Sequence, residues 1–161
     1  MQSRDQFFSF SPKDPLLKGK IAYYYIHYSD DPKNDLSFQY FPHFRNALTV
    51  YLNADLKLEG MNSRVKEGAR GNYNCIFSKN YSESVSVRIL GRFWKLGIAF
   101  EPLGYNHFIP KPLSEWLYSG QNDVSVLEAD LESIVLNCYQ SNPESCVEIL
   151  DAYFLLRMSP L

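Results

Sequence analysis

Metal-ligand clusters, export signals and long apolar runs are all missing from this chain of 161 residues. It has three histidines, His27, His43 and His107, scattered over unrelated segments with no His-x-His pair. A mononuclear metal centre on a β-scaffold needs two or three such ligands close together. No metal or other cofactor is therefore expected. Cysteine is sparse too: Cys75, Cys138 and Cys146 are odd in number and follow no framework spacing. The opening MQSRDQFFSF lacks an apolar core of signal-peptide length. Free thiols without an export signal predict a cytoplasmic protein. The longest apolar run, IAYYYI, is far too short to cross a bilayer, so no membrane association is expected.

The familiar signatures of catalysis are also absent. There is no Gly-x-Ser-x-Gly elbow, and no cysteine sits beside an activating base. The glycines of GRFWKLG are wrongly spaced for a phosphate-binding loop. Asp30 and Asp31 lie together in a polar loop and read as solvated. Glu101, at the end of an apolar strand, reads as a capping or pairing group at the strand exit. Pro102 removes a backbone donor there, and Gly104 permits a chain reversal. The chain is not expected to be an enzyme. Charge argues against nucleic acid as a direct partner. Residues 1–110 carry 14 basic and 10 acidic side chains, whereas residues 111–161 carry 2 and 8. No basic stripe is present, and the acidic tail repels phosphate.

Aromatic residues are abundant and unevenly placed: 20 of the 25 precede residue 111. Aromatics favour pleated, half-buried surfaces. KIAYYYIHYS, LSFQYFPHF, NALTVYLNA, LKLEG, NYNCIFSKN, VSVRILG and RFWKLGIAFE read as strands at short spacing, the last two forming the clearest pair, with Gly91 at the turn. Residues 1–19 read as an irregular arm because of Pro12 and Pro15. The pattern predicts an antiparallel β-barrel or sandwich over residues 1–110. Residues 111–161 read as a helical extension packed on it. PLSEWLYSG suggests a short helix, and Leu127, Leu131, Ile134, Val135 and Cys138 recur at helical spacing from about 126 to 139. After the break at SNP, Asn142 is an N-cap candidate and Pro143 suits the first turn of a second helix, paired antiparallel with the first.

The segment LGIAFEPLGYNHFI resembles the strand-plus-turn segment in the N-terminal sensor modules of AraC-type bacterial transcription regulators, through Phe100, Pro102 and Gly104. The aromatic strand YYYIHY, the Pro-containing strand leading to LTVYL and the closing helices ending in ILDAYFLLRM follow in the same order. The resemblance spans about residues 7–158. It implies a cupin-like fold, a small-molecule effector, dimerisation and transcription regulation. In that family DNA contact belongs to helix-turn-helix units, which these residues do not include. A small cupin-type enzyme and a purely structural interaction module are the alternatives.

Two expectations follow about surfaces. The second helix is apolar on two sides, Val147, Leu150 and Phe154 on one and Cys146, Ile149 and Tyr153 on the other. One side can pack internally and the other meet a second copy, giving a weak homodimer against the acidic surplus. Within the β-domain, Trp94, Leu96, Ile98 and Phe100 alternate with Lys95, Gly97 and Ala99, and the bulkier face is expected to point inward. Tyr25, His43, Arg45, Tyr51 and Trp94 are the candidate lining of a ligand pocket. A buried Arg45 would require a carboxylate or an anionic ligand.

Overall fold

Among the described residues the β-prone runs condense into nine strands, because each pairs its backbone amides with a neighbour that turns or loops bring alongside. The computed structural model describes residues 5–40, 45–60, 62–78, 84–109 and 125–158. In chain order the strands are β1 (Gln6–Phe10), β2 (Ile21–Ser29), β3 (Asp35–Tyr40), β4 (Asn46–Leu52) and β5 (Ala54–Glu59). They continue with β6 (Asn62–Glu67), β7 (Tyr73–Ser78), β8 (Val85–Leu90) and β9 (Phe93–Phe100). A 3-10 turn (Gly104–His107) follows, then α1 (Ser125–Gln140) and α2 (Pro143–Arg157). The short helix expected near residues 112–120 lies outside the described residues.

The strands form a five-stranded sheet, β1-β2-β9-β4-β7, and a four-stranded sheet, β3-β8-β6-β5. The two stack as a sandwich without closing into a barrel. Among the described strands the pairings are antiparallel except β6 with β8, which is parallel. β8 and β9, expected to pair with each other across Gly91, instead enter different sheets, and two further strands depart from the sequence reading. β1 occupies the arm expected to be irregular, ending at Phe10 before either proline. β6 was not anticipated, since only Val65 of its six residues is buried.

The five-stranded sheet separates two apolar layers. On one face Tyr24, Ile26, Leu48, Val50, Leu96, Ile98 and Phe100 pack with Leu131, Val135, Leu150 and Phe154 of the helices. On the other, Tyr51 and Phe93 meet Ala54, Val65, Val87 and Ile89 of the four-stranded sheet. This corrects the expected orientation of β9: Leu96, Ile98 and Phe100 face the helices, and Lys95 and its neighbours face the second sheet. The helix pair presents the larger apolar surface, and fully burying each such side chain stabilises by about 1.5–3 kcal/mol. β-strand and helical residues thus share one core, so the helices are not a separately cored appendage.

The helices run antiparallel. Cys146 Sγ donates to the Cys138 carbonyl at 3.3 Å near the connecting turn, and Arg157 pairs with Asp130 at the other end. Asn142 caps α2 as expected, its Oδ1 accepting from Ser145 N at 2.9 Å, with Pro143 in the first turn. The second apolar side of α2 is mostly internal: Cys146 and Tyr153 are buried, and Ile149 is partly so.

A buried carboxylate joins the helices to the chain's beginning. Asp151 accepts from Tyr24 Oη at 2.8 Å and from the amides of Lys13 and Asp14 at 2.8 and 2.9 Å. Burial, together with this carboxylate, pushes the Tyr24 phenol far above its ordinary range. The strand exit is equally specified. Glu101 N donates to Lys20 O at 2.9 Å, and Gly104 N closes a turn on Glu101 O at 2.8 Å. Leu103 sits in the left-handed region at φ 63°, and a Cβ on Gly104 would lie 1.9 Å from the Lys20 carbonyl oxygen. Only glycine fits there.

Two measurements check this frame. Asp151→Ala, which strands three donors, should lose about 3 kcal/mol in urea unfolding, and Tyr24→Phe about half of that. Gly104→Ala should cost about 2–3 kcal/mol by forcing β2 and the exit turn apart, read as a lowered Tm.

Candidate functional site

Strand register brings a set of polar and aromatic side chains together between the two sheets. His27 of β2, Lys95 of β9 and Tyr51 of β4 are direct cross-strand neighbours. In the next row on that face stand Tyr25, Gly97 and Thr49. Gly97 has a specific use: a Cβ there would fall 1.9 Å from the Tyr25 ring. Its absence lets Tyr25 lie across the β9 backbone beside Lys95.

Lys95 is the centre of the set, with 1% of its surface exposed. Its Nζ lies 4.7 Å from the ring centroid of Phe38 and 5.6 Å from those of Tyr25 and Tyr51. Three ring faces so disposed attract a cation. Burial acts the other way, disfavouring the charged form, and pushes the amine down to about 7. His27, also buried, is lowered chiefly by desolvation and further by the Lys95 charge, while its hydrogen bond to Asp5 opposes the shift. That bond, Nε2 to Oδ2, is 2.8 Å. Phe93 and Phe7 meet the imidazole edge-on, at 4.9 and 5.5 Å between centroids. The rings of Phe38, Tyr25 and Tyr51 and the imidazole of His27 thus surround the amine between the sheets.

The structure brings together two of the five residues expected to line a pocket, Tyr25 and Tyr51. Trp94 faces the opposite way, edge-on to Tyr139 of α1 at 5.3 Å, where it lines a separate cleft. Arg45 does meet a carboxylate: its Nη2 donates to Glu101 Oε1 at 3.3 Å, and its guanidinium sits 6.0 Å from the Tyr23 ring. Both members of that pair are partly exposed, which places Arg45 at the strand exit. Glu101 is accordingly a pairing group, as expected. His43 lies outside the described residues. Sequence reading missed Lys95, His27 and Phe38. The available signal was Gly97 and Ala99 on the face of Lys95, since small residues there admit large side chains from adjacent strands.

Among the described residues, no group of three His, Cys, Asp or Glu side chains is placed to hold a metal ion. No described helix is long and apolar enough to cross a membrane. No protein-family model, curated protein or solved structure matches the chain.

The amine gives a signed pH dependence. The unfolded chain holds the lysine proton up to about pH 10.4, and the folded chain releases it near 7. Between those values the unfolded state binds more protons, so stability rises with pH, and below 7 the effect levels off. From pH 7 to 9 the wild type should gain about 2 kcal/mol more than Lys95→Met in urea unfolding. Parallel pH curves for the two proteins would show that the amine is not desolvated.

Proposed function

We propose that the chain is an effector-binding and dimerisation module of the kind found in AraC-type transcription regulators, with a cupin-like sandwich and the effector held at Lys95. One observation carries this reading: a lysine amine buried between two sheets and faced by three aromatic rings. An aliphatic residue would stabilise that position more, because burying an ammonium is costly. Local choices that oppose stability concentrate at functional sites. The Phe-Glu-Pro-Leu-Gly turn and the helix pair packed on the sheet add support from the resemblance.

In this reading the effector is a small molecule with an acceptor group, a carboxylate or hydroxyl, directed at Lys95 and His27. Phe38 is the lightest cover of the amine, being half-buried on β3, an edge strand. The module works in the cytoplasm, and DNA contact is made by helix-turn-helix units outside these residues. Dimerisation is weak and uses fewer residues than the sequence pattern offers, since Cys146 and Tyr153 are internal. Leu156, 90% exposed on α2, is the remaining apolar anchor.

A thermal-shift screen of carboxylates and sugars tests the site. A true effector at about 100 times its Kd adds about 2.7 kcal/mol of stability, several degrees in Tm. That shift should disappear in Lys95→Met and shrink in Tyr51→Phe. Hits that stabilise Lys95→Met as well as the wild type would move the effector elsewhere and end this reading.

A further inference from the structure

On the opposite face of β9 lies an open cleft of about 450 Å³, between the strand ends of the five-stranded sheet and α1. We propose that it is a second binding site, for a flat, amphipathic organic monoanion such as an aromatic carboxylate or sulfonate. Nothing in this inference depends on Lys95 or on the regulator reading. Trp94 and Lys95 are consecutive residues of one strand and point to opposite faces.

The size suits a small molecule, for which pockets run from about 300 to 1,000 Å³. Its apolar wall follows from register: Tyr28, Trp94 and Leu52 are cross-strand neighbours on β2, β9 and β4. From α1 come Leu136 and Tyr139, which are 40% and 44% exposed although they flank an indole. Trp94 and Tyr139 stand at 84° to one another. A flat ligand can stack on one ring and present its edge to the other, the two favoured aromatic geometries.

Charge at the rim sets the sign. Arg92 is already engaged, with Glu67 Oε1 at 3.1 Å and the Asp30 carbonyl at 3.2 Å. Arg70 also lines the cleft, is exposed, and has no hydrogen-bond or ion-pair partner among the described residues. Its loop is nonetheless held in place. Asn53 N donates to Asn72 O at 2.8 Å, Gly68 N to Asn53 O at 3.0 Å, and Gly71 N to Asn53 Oδ1 at 2.8 Å. A cation on a fixed backbone beside an apolar wall is pre-organised for an anionic group. The Asp30 and Glu67 carboxylates share the rim, which favours a single negative charge over a phosphate-rich ligand.

The test uses two naphthalene probes that differ mainly in charge, the anionic 8-anilinonaphthalene-1-sulfonate and the uncharged N-phenyl-1-naphthylamine. The folded wild type should bind one sulfonate probe per chain, with energy transfer from Trp94 that is lost in Trp94→Phe. Arg70→Gln should weaken the sulfonate probe about tenfold, as loss of a charged hydrogen bond implies, and leave the neutral one within about twofold. Tyr139→Ser, a change at an exposed position, should weaken both, and Lys95→Met neither. If Arg70→Gln affects both probes equally or neither, the anion preference is wrong. If Tyr139→Ser leaves both unchanged, or the wild type binds neither, the cleft is not a site. If Lys95→Met abolishes binding, the probe occupies the space between the sheets and the inference falls, while the Lys95 reading gains.

Discussion

The Asp151 carboxylate holds three parts of the molecule in one place: α2, the β2 strand through Tyr24, and the segment before β2 through two backbone amides. A buried carboxylate is tolerable when its oxygens are satisfied, and here three donors converge on them. Much of the surrounding geometry follows. With residues 13 and 14 fixed, Leu17 turns into the core and its carbonyl accepts from Lys20 and Ile21. The Lys20 carbonyl then accepts from Glu101, setting where β9 ends and how the chain leaves the sheet. On the helix side the same anchor places Phe154 over Tyr24 and against Phe100 and Phe108.

Stability and chemistry are divided between the two faces of β9. Leu96, Ile98 and Phe100 supply apolar burial toward the helices, within the larger of the two apolar clusters. Lys95, with His27 and Tyr51 beside it, occupies the other face, where the four-stranded sheet offers a smaller apolar cluster. A sheet that is well secured on one side can carry a costly group on the other. Gly97 serves the second role, giving up side-chain packing so that Tyr25 can reach the amine.

Local features were legible in the sequence and long-range ones were not. The turn at Gly91, which adopts φ 79°, and the α2 start at Asn142 and Pro143 were legible, but the two strands joined by that turn, expected to pair with each other, enter different sheets. Alternation gave the correct sharing of faces along β9 but not which face turns inward, because a period of two is symmetric until a partner is known. Trp94 was therefore placed on the wrong side, and Lys95 fell on the face opposite the one expected to point inward. Tyr25 and Tyr51, singled out as large amphipathic rings, do stand together beside Lys95 on one face of the sheet. β6 was invisible, since one buried valine in six residues leaves no periodic signal.

The placement of β8 and β9, joined by the turn at Gly91, also bears on the order in which the fold can assemble. β9 lies between β2 and β4, and β8 lies between β3 and β6, so these two late strands give each sheet an inner strand. On a ribosome adding about 5–20 residues per second, β2, β3 and β4 emerge seconds before the strands they must flank. Until residue 100 appears, β2 and β4 expose aromatic and β-branched edges with no central partner, the condition under which chains pair with one another. Late synthesis of β8 and β9 thus leaves both sheets without their inner strands for most of the chain's elongation.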